Sequence, residues 1–331
     1  MRTLFNRVLV DIARRDERIW MILADIGYGE IEPFRDAFPD RWYNCGVAEQ
    51  NMTGVACGVA MEGNIAITYS IANFPTLRCL EQIRNDVCYH NASVKIVIIG
   101  GGLAYGPLGV SHQATEDIAI MRALPNMVVF CPCDFAEAEA GVHAMIAHDG
   151  PFYYRCGYKK EPPVHAGKIA FRLGQALQVR DGSDATIFFT GTIGNQVLPA
   201  AEALDRHGIH CRVVSLHTVK PIDREAIVRA ARETGGIVTV EEHNLTGGLG
   251  SAVAEVVVRT HPAPIEFIGI QNEYSESAPN DELAERHGLT APHIAAAARR
   301  ARRLAADADL PRRRAGRAPL QHHGAGQGGA G

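Results

Sequence analysis

The sequence predicts an α/β protein made of two consecutive α/β/α domains with mostly parallel sheets. Apolar runs at residues 94–99, 128–131 and 185–189 read as strands covered on both faces, and all are far too short to span a membrane. Segments of helical period alternate with these runs along the chain. A linker-like stretch, Lys159-Lys160-Glu161-Pro162-Pro163, separates two such alternations. At 331 residues and 47% hydrophobic content the chain has room for about two ordinary cores. The expected boundaries are 1–160 and 161–305, followed by a disordered tail at 306–331 that has too little apolar surface to order itself.

Residues 2–15 place Leu4, Phe5, Val8, Leu9 and Ile12 on one helical face, and a strand at 19–23 leads into the turn Asp25-Ile26-Gly27-Tyr28-Gly29. A short strand at 42–45 meets Gly46, and Val47, Met52, Val55, Ala56, Val59 and Ala60 then outline a buried helix. Glu49 lies in its first turn. Two readings are open there: a capping carboxylate at a helix start, or a buried group that shares a proton with a ligand. A strand at 65–69 leads to Phe74 and a helix through Leu80, Ile83 and Val87.

The strand at 94–99 opens into Gly100-Gly101-Gly102 and then Gly106-Pro107-Leu108-Gly109-Val110-Ser111-His112-Gln113. The glycine spacing fits neither GxGxxG nor GxxxxGK[ST], so a phosphate cradle is not expected; a loop passing close to a ligand or another backbone is. His112, before a helix at 115–123, is open to a structural or a ligand-binding reading, because open sheets bind ligands beyond the carboxyl ends of their strands. A strand at 128–131, a helix at 135–147 and an aromatic strand ending at Arg155 complete the first alternation. Arg155 reads either as a solvated strand end or as an anion clamp. In the second half, strands at 185–189, 211–215, 237–240 and 265–268 interleave with helices at 194–207, 223–233 and 250–259. Glu241-Glu242-His243 falls in a predicted loop, where a turn is the commoner explanation.

Composition removes several classes. A net charge of −4 leaves no electrostatic footprint for nucleic acid before the last thirty residues. No membrane span is expected, and the N-terminus lacks the basic start and apolar run of a signal peptide, so a cytoplasmic protein is expected. The eight cysteines are scattered through apolar segments. Cys131-Pro132-Cys133 lacks a second knuckle, and reduced core thiols are the expectation, with no metal ligand assigned.

Taken together, Gly46-Val47-Ala48-Glu49-Gln50-Asn51-Met52, Glu81-Gln82-Ile83-Arg84-Asn85-Asp86, Gly109-Val110-Ser111-His112-Gln113-Ala114-Thr115-Glu116-Asp117 and Ala123-Leu124-Pro125-Asn126-Met127 resemble the C-terminal half of the transketolase family. The likeness is strongest to the small subunits of split, two-component transketolases and covers residues 1–305. It implies a pyrimidine-binding domain followed by a transketolase C-terminal domain, and thiamine diphosphate as cofactor. It implies that Glu49 hydrogen-bonds the aminopyrimidine N1′, favouring the tautomer whose N4′ removes the C2 proton, and that a two-carbon ketol unit passes from a ketose, phosphorylated or not, to an aldose.

The resemblance further implies that Phe74 packs on the aminopyrimidine, that Asp25 and Ile26 line the cofactor, that His112 contacts donor hydroxyls, and that Arg155 and Arg2 grip a sugar phosphate. Ile71 stands where relatives carry a first stacking phenylalanine, and Leu108 stands where some carry an acidic residue. The GDG…N motif for diphosphate and Mg²⁺ (or Ca²⁺) is missing; the nearest strings are Asp149-Gly150-Pro151 and Asp181-Gly182-Ser183. The implied partner is therefore an N-terminal, diphosphate-binding subunit in an α2β2 assembly. The alternatives are the β subunit of a 2-oxo-acid dehydrogenase or decarboxylase, a specialised biosynthetic ketol transferase, and a non-catalytic scaffold.

Overall fold

The computed structural model describes residues 1–158 and 161–315. Lys159 and Lys160 of the expected linker, and residues 316–331 of the expected tail, lie outside the described residues. The first half runs α1 (Arg2–Ala13), β1 (Ile19–Leu23), α2 (Glu32–Ala37), β2 (Trp42–Asn44), α3 (Glu49–Met61), β3 (Ile65–Ile71) and α4 (Leu80–Gln82), which continues as a π-helix (Ile83–Cys88). It goes on through β4 (Val94–Ile99), α5 (Asp117–Ala123), β5 (Val128–Phe130), α6 (Phe135–Ala147) and β6 (Phe152–Cys156). The second half runs β7 (Leu177–Arg180), β8 (Ala185–Thr190), α7 (Gly194–Asp205), β9 (Cys211–Ser215), β10 (Thr218–Lys220) and α8 (Arg224–Glu233). It ends with β11 (Ile237–Asn244), α9 (Leu249–Thr260), β12 (Ile265–Ile270), α10 (Asn280–Arg286) and α11 (Ala291–Ala315).

Two sheets result. The first has the order β10-β5-β6-β4-β3-β1-β2, parallel except at β10, and the second has the order β12-β11-β8-β9-β7, parallel except at β7. Such strands need cover on both faces. On one face of the first sheet α1 and α6 pack through Phe5, Leu9, Val142 and Met145; on the other lie Met52 and Ala56 of α3, Val87 of the π-helix and Ile118 of α5. The second sheet is covered on one face by α7 and α11 through Val197, Leu204, Ile294 and Ala298. Ile227 of α8 and Val253 of α9 belong to the same apolar cluster as Met52 and Ile118, so one core runs across both domains. β10, a strand of the second half, pairs antiparallel with β5 of the first.

The structure departs from the sequence reading in three places. β11 continues to Asn244, so Glu241-Glu242-His243 is strand and not loop. The Glu241 carboxylate is buried because it accepts the N–H groups of Leu249 (2.6 Å) and Gly250 (2.8 Å) at the start of α9. α11 carries on through residues 306–315, past the expected start of the tail. β7, β10, α2, α10 and α11 were not among the predicted elements. Among the described residues no helix is long and apolar enough to cross a membrane.

The second domain grips the loop that follows β4. Leu103 donates its N–H to the Glu242 carboxylate at 2.7 Å, Asn244 N–H reaches Thr115 carbonyl at 2.8 Å, and the Gln113 side chain donates to Glu276 carbonyl at 3.0 Å. Gly102, at φ 65°, lets the backbone pass where a Cβ would come within 2.7 Å of Glu242. His243 joins the grip as a neutral ring. Its Nδ1 donates to Asn244 carbonyl (2.6 Å), leaving Nε2 to accept Ala119 N–H (3.3 Å), and burial lowers its pKa in keeping with that tautomer.

This seam makes stability depend on pH. Burial pushes the Glu241 carboxyl up to about 7 from an ordinary 4.5, against the pull of the Gly250 and Leu249 N–H groups. A raised carboxyl holds its proton in the folded state after the unfolded state has lost it, so stability falls as pH rises from 4.5 to about 7. Glu241→Gln should flatten that fall, which amounts to about 3 kcal/mol across the window. Chemical denaturation at pH 5 and pH 8 checks this; equal pH slopes for the two proteins would refute it.

Candidate active site

The residues singled out in the sequence converge on one edge of the first sheet, at the carboxyl ends of its parallel strands, where open α/β sheets bind ligands. Asp25 and Ile26 follow β1, Glu49 follows β2, Ile71 ends β3 with Phe74 beyond it, and His112 lies in the loop after β4. Gly46, at φ 70°, makes the turn from β2 into α3. The Asn44 side chain braces that turn: its Oδ1 accepts Gly46 N–H (3.0 Å) and Asp25 N–H (2.9 Å), while Nδ2 donates to Asp25 Oδ1 (3.2 Å). The Tyr28 hydroxyl and then the Asn44 amide hold the Asp25 carboxyl below its usual range.

Glu49 is 2% exposed and is the first residue of α3, with Ala48 as N-cap and no side-chain capping bond. The capping reading is thereby replaced. Its Oε2 instead accepts Nη1 of Arg78 at 2.7 Å. The Arg78 guanidinium also lies 4.9 Å from the centre of the Phe74 ring, a cation–π arrangement. The Phe74 ring meets His112 edge-on at 5.2 Å. The line continues through Tyr105, 6.2 Å from His112, to Tyr158, 4.6 Å from Tyr105, and to Arg2, whose guanidinium sits 5.4 Å from the Tyr158 ring. Arg2 is steadied by Glu30 at 2.9 Å.

His112 is held from two sides. Ser111 Oγ lies 2.9 Å from its Nδ1, and the Asn73 amide donates to the Val110 carbonyl (3.3 Å) and to the Gln113 carbonyl. Asn73 thereby ties the His112 loop to the residue before Phe74.

Arg155 is placed elsewhere. It is buried in the seam between the domains, donating from Nε to Asp117 Oδ2 (2.7 Å) and from Nη2 to Asp117 Oδ1 (3.2 Å), Ala114 carbonyl (2.9 Å) and Glu242 carbonyl (3.1 Å). Tyr153 donates to the same Asp117 at 2.6 Å. Burial works against both charges, yet each partner favours the other's ionised form, so Asp117 stays low and Arg155 high. Of the two sequence readings the anion clamp describes Arg155, but the anion is a carboxylate of its own chain. A sugar-phosphate role for Arg155 is therefore not carried forward.

The sequence reading missed Arg78, Asn44, Asn73, Tyr105 and Tyr158. Arg78 had one signal, its spacing four residues after Phe74. The rim also carries exposed apolar side chains on the segments that bear the site: Tyr43, Val47, Leu77, Leu108 and Val110, of which Val47 is 77% exposed.

A planar, N–H-bearing cation in contact with both the Glu49 carboxylate and the Phe74 ring shows what kind of group this corner accepts. An aminopyrimidine has the same flat shape and the same kind of donor, so the residues present fit it.

Comparison with known proteins agrees with this geometry. The model "Transketolase, pyrimidine binding domain" matches residues 1–157, and "Transketolase, C-terminal domain" matches residues 174–294. The 6-deoxy-6-sulfo-D-fructose transketolase subunit of a Clostridium species is 38% identical over 299 residues, covering 90% of this chain and 93% of that protein. One of the subunits of an apulose-4-phosphate transketolase from Phocaeicola vulgatus is 36% identical over 290 residues, covering 87% of this chain and 93% of that protein. The solved structure described as a split gene transketolase, inactive beta4 tetramer, superposes with a TM-score of 0.85 at 41% identity, over 92% of this chain and 98% of that one. With both domain models in order and relatives matched over nearly their whole length, the chain belongs to the transketolase family and has the make-up of a split subunit.

Proposed function

We propose that this chain is the pyrimidine-binding half of a two-component transketolase that moves a two-carbon ketol unit from a ketose to an aldose. One observation carries the reading: Glu49, a carboxylate 2% exposed at the carboxyl edge of the sheet, faces a guanidinium that also covers an aromatic ring. Thiamine diphosphate, on which the family depends, supplies the electron sink for breaking and remaking a carbon–carbon bond beside a carbonyl.

The chain's own residues then divide the work. Glu49 shares a proton with the N1′ position of the pyrimidine through the oxygen that Arg78 now occupies, and Phe74 offers its face to the ring. Asp25 and Ile26, with Ile71 at the end of β3, bound the other side. His112 and Arg2 face the sugar, and Tyr105 and Tyr158 fill the wall between them. Two relatives are named for sugars bearing a sulfo or a phosphate group, and Arg2 is the cation placed to meet such a group here. Arg78 would have to give way to the pyrimidine ring, because both compete for one carboxylate.

The diphosphate and its Mg²⁺ fall to an N-terminal transketolase subunit. The missing GDG…N motif favours this, as does the apolar rim around Val47, Leu77 and Leu108, which suits burial against another chain. A relative of nearly equal length is described as inactive in its β4 form, which supports activity only in a mixed assembly such as α2β2.

Reconstitution with the diphosphate-binding subunit should restore ketol transfer, and Glu49→Gln should reduce the complex's turnover by about a hundredfold or more with the melting curve of the subunit unchanged. Full activity of this variant, or full activity of the chain alone, would refute the assignment. Carbon dioxide release from a 2-oxo acid by the same complex would favour the dehydrogenase reading.

Arg78→Gln offers a second check. With its competitor gone, Glu49 should let the complex bind thiamine diphosphate about tenfold more tightly, read by calorimetry without any sugar present. Weaker binding would show that Arg78 holds the cofactor instead of standing in its place.

A further inference from the structure

A second set of reactive side chains meets on the far side of β5, where the interdomain linker and the segment between β9 and β10 come together. Cys133 follows β5, Glu137 lies in the first turn of α6, and His165 belongs to the linker. One ligand atom from each, a thiol sulfur, a carboxylate oxygen and a ring nitrogen, all lie within 4.8 Å of one another, and Cys133 and Glu137 are buried. His165 Nε2 is 2.9 Å from Glu137 Oε1, and Cys133 N–H donates to Glu137 Oε2 at 2.8 Å.

A buried glutamate–histidine pair is complete by itself and needs no thiol. Here a thiol shares the same point, and three different metal-ligating atoms converge.

The backbone around the cluster is fixed in advance. One carboxylate, Asp134, accepts the N–H groups of Ala136 (3.0 Å) and Glu137 (3.1 Å) through Oδ1, and those of Val164 (2.9 Å) and His165 (2.8 Å) through Oδ2. It thereby sets both Glu137 and His165 from behind, as an outer shell sets metal ligands. A dication bound here would release the Cys133 thiol proton to solvent.

We propose that Cys133, Glu137 and His165 form a binding site for a Zn²⁺-class divalent cation that pins the segment after the linker to the first domain. One sulfur, one oxygen and one imidazole nitrogen within reach of one another suit zinc, with a solvent molecule as its fourth neighbour. Cys131 takes no part. Cys131 packs into a different apolar cluster from Cys133.

The full-length chain, stripped of metal, is titrated with Co²⁺ and then Zn²⁺. The expected result is one equivalent of Co²⁺ with a thiolate charge-transfer band, bleached by Zn²⁺, and a melting temperature raised by the metal. Cys133→Ser should lose the band, Cys131→Ser should keep it, and His165→Ala should weaken binding by about a hundredfold or more, beyond the loss of an outer-shell partner. X-ray absorption of the Zn²⁺-loaded wild-type chain gives a reading that needs no variant: one sulfur and three nitrogen or oxygen neighbours. No stoichiometric uptake by the folded chain, a band that survives Cys133→Ser, unchanged affinity in His165→Ala, or a zinc shell without sulfur would overturn the site.

Discussion

Arg155 and Asp117 meet at 2.7 Å in the seam between the two domains, with side chains 6% and 0% exposed. Two charges taken out of water are expensive, and such a pair holds only when its remaining donors and acceptors are also satisfied. Here they are: Tyr153 completes the carboxylate, and the carbonyls of Ala114 and Glu242 complete the guanidinium. Because Ala114 ends the loop that carries His112 and Glu242 belongs to β11, one side chain fixes the position of that loop against the second domain. The second domain thus acts on the groove at a distance, by deciding where the loop after β4 can lie.

At the groove itself the chain presents half of a binding corner. A buried carboxylate is tolerable beside an arginine, and the same arginine shows how a flat cationic donor sits between Glu49 and Phe74. The exposed apolar side chains around it belong to the very segments that carry the site. Exposed apolar surface next to a buried carboxylate fits the proposal that a second chain covers this edge of the sheet.

The sequence revealed the strands of both sheets and most of the covering helices, because continuous apolar runs and helical periods survive in any tertiary setting. It singled out Glu49 and His112 within linked motifs and Phe74 between them, and the structure lines the three up through Arg78. What it could not distinguish was which anion Arg155 binds, since a strand-end arginine looks the same whether it faces a sugar phosphate or a buried aspartate. Glu241 and His243 looked like loop residues because acidic and histidine side chains are rare inside; their burial comes from the α9 start and from Ala119, contacts that no local pattern encodes. The Cys131-Pro132-Cys133 stretch read only as reduced core thiols, whereas the fold separates the two and places Cys133 beside Glu137 and His165. Short elements such as β10 and α10 carried too little periodicity to stand out.

β10 has a consequence for how the chain can be divided. It lies 88 residues or more beyond β5 in sequence and yet closes that strand's open side, so the first sheet is finished only after much of the second domain has been made. Expressed without its C-terminal half, the first domain would present β5 as a bare apolar edge, an invitation to pair with a neighbouring copy. A rearrangement that separated the two domains would therefore strip the first sheet of its last strand, whereas joining the pair to another polypeptide leaves the sheet intact.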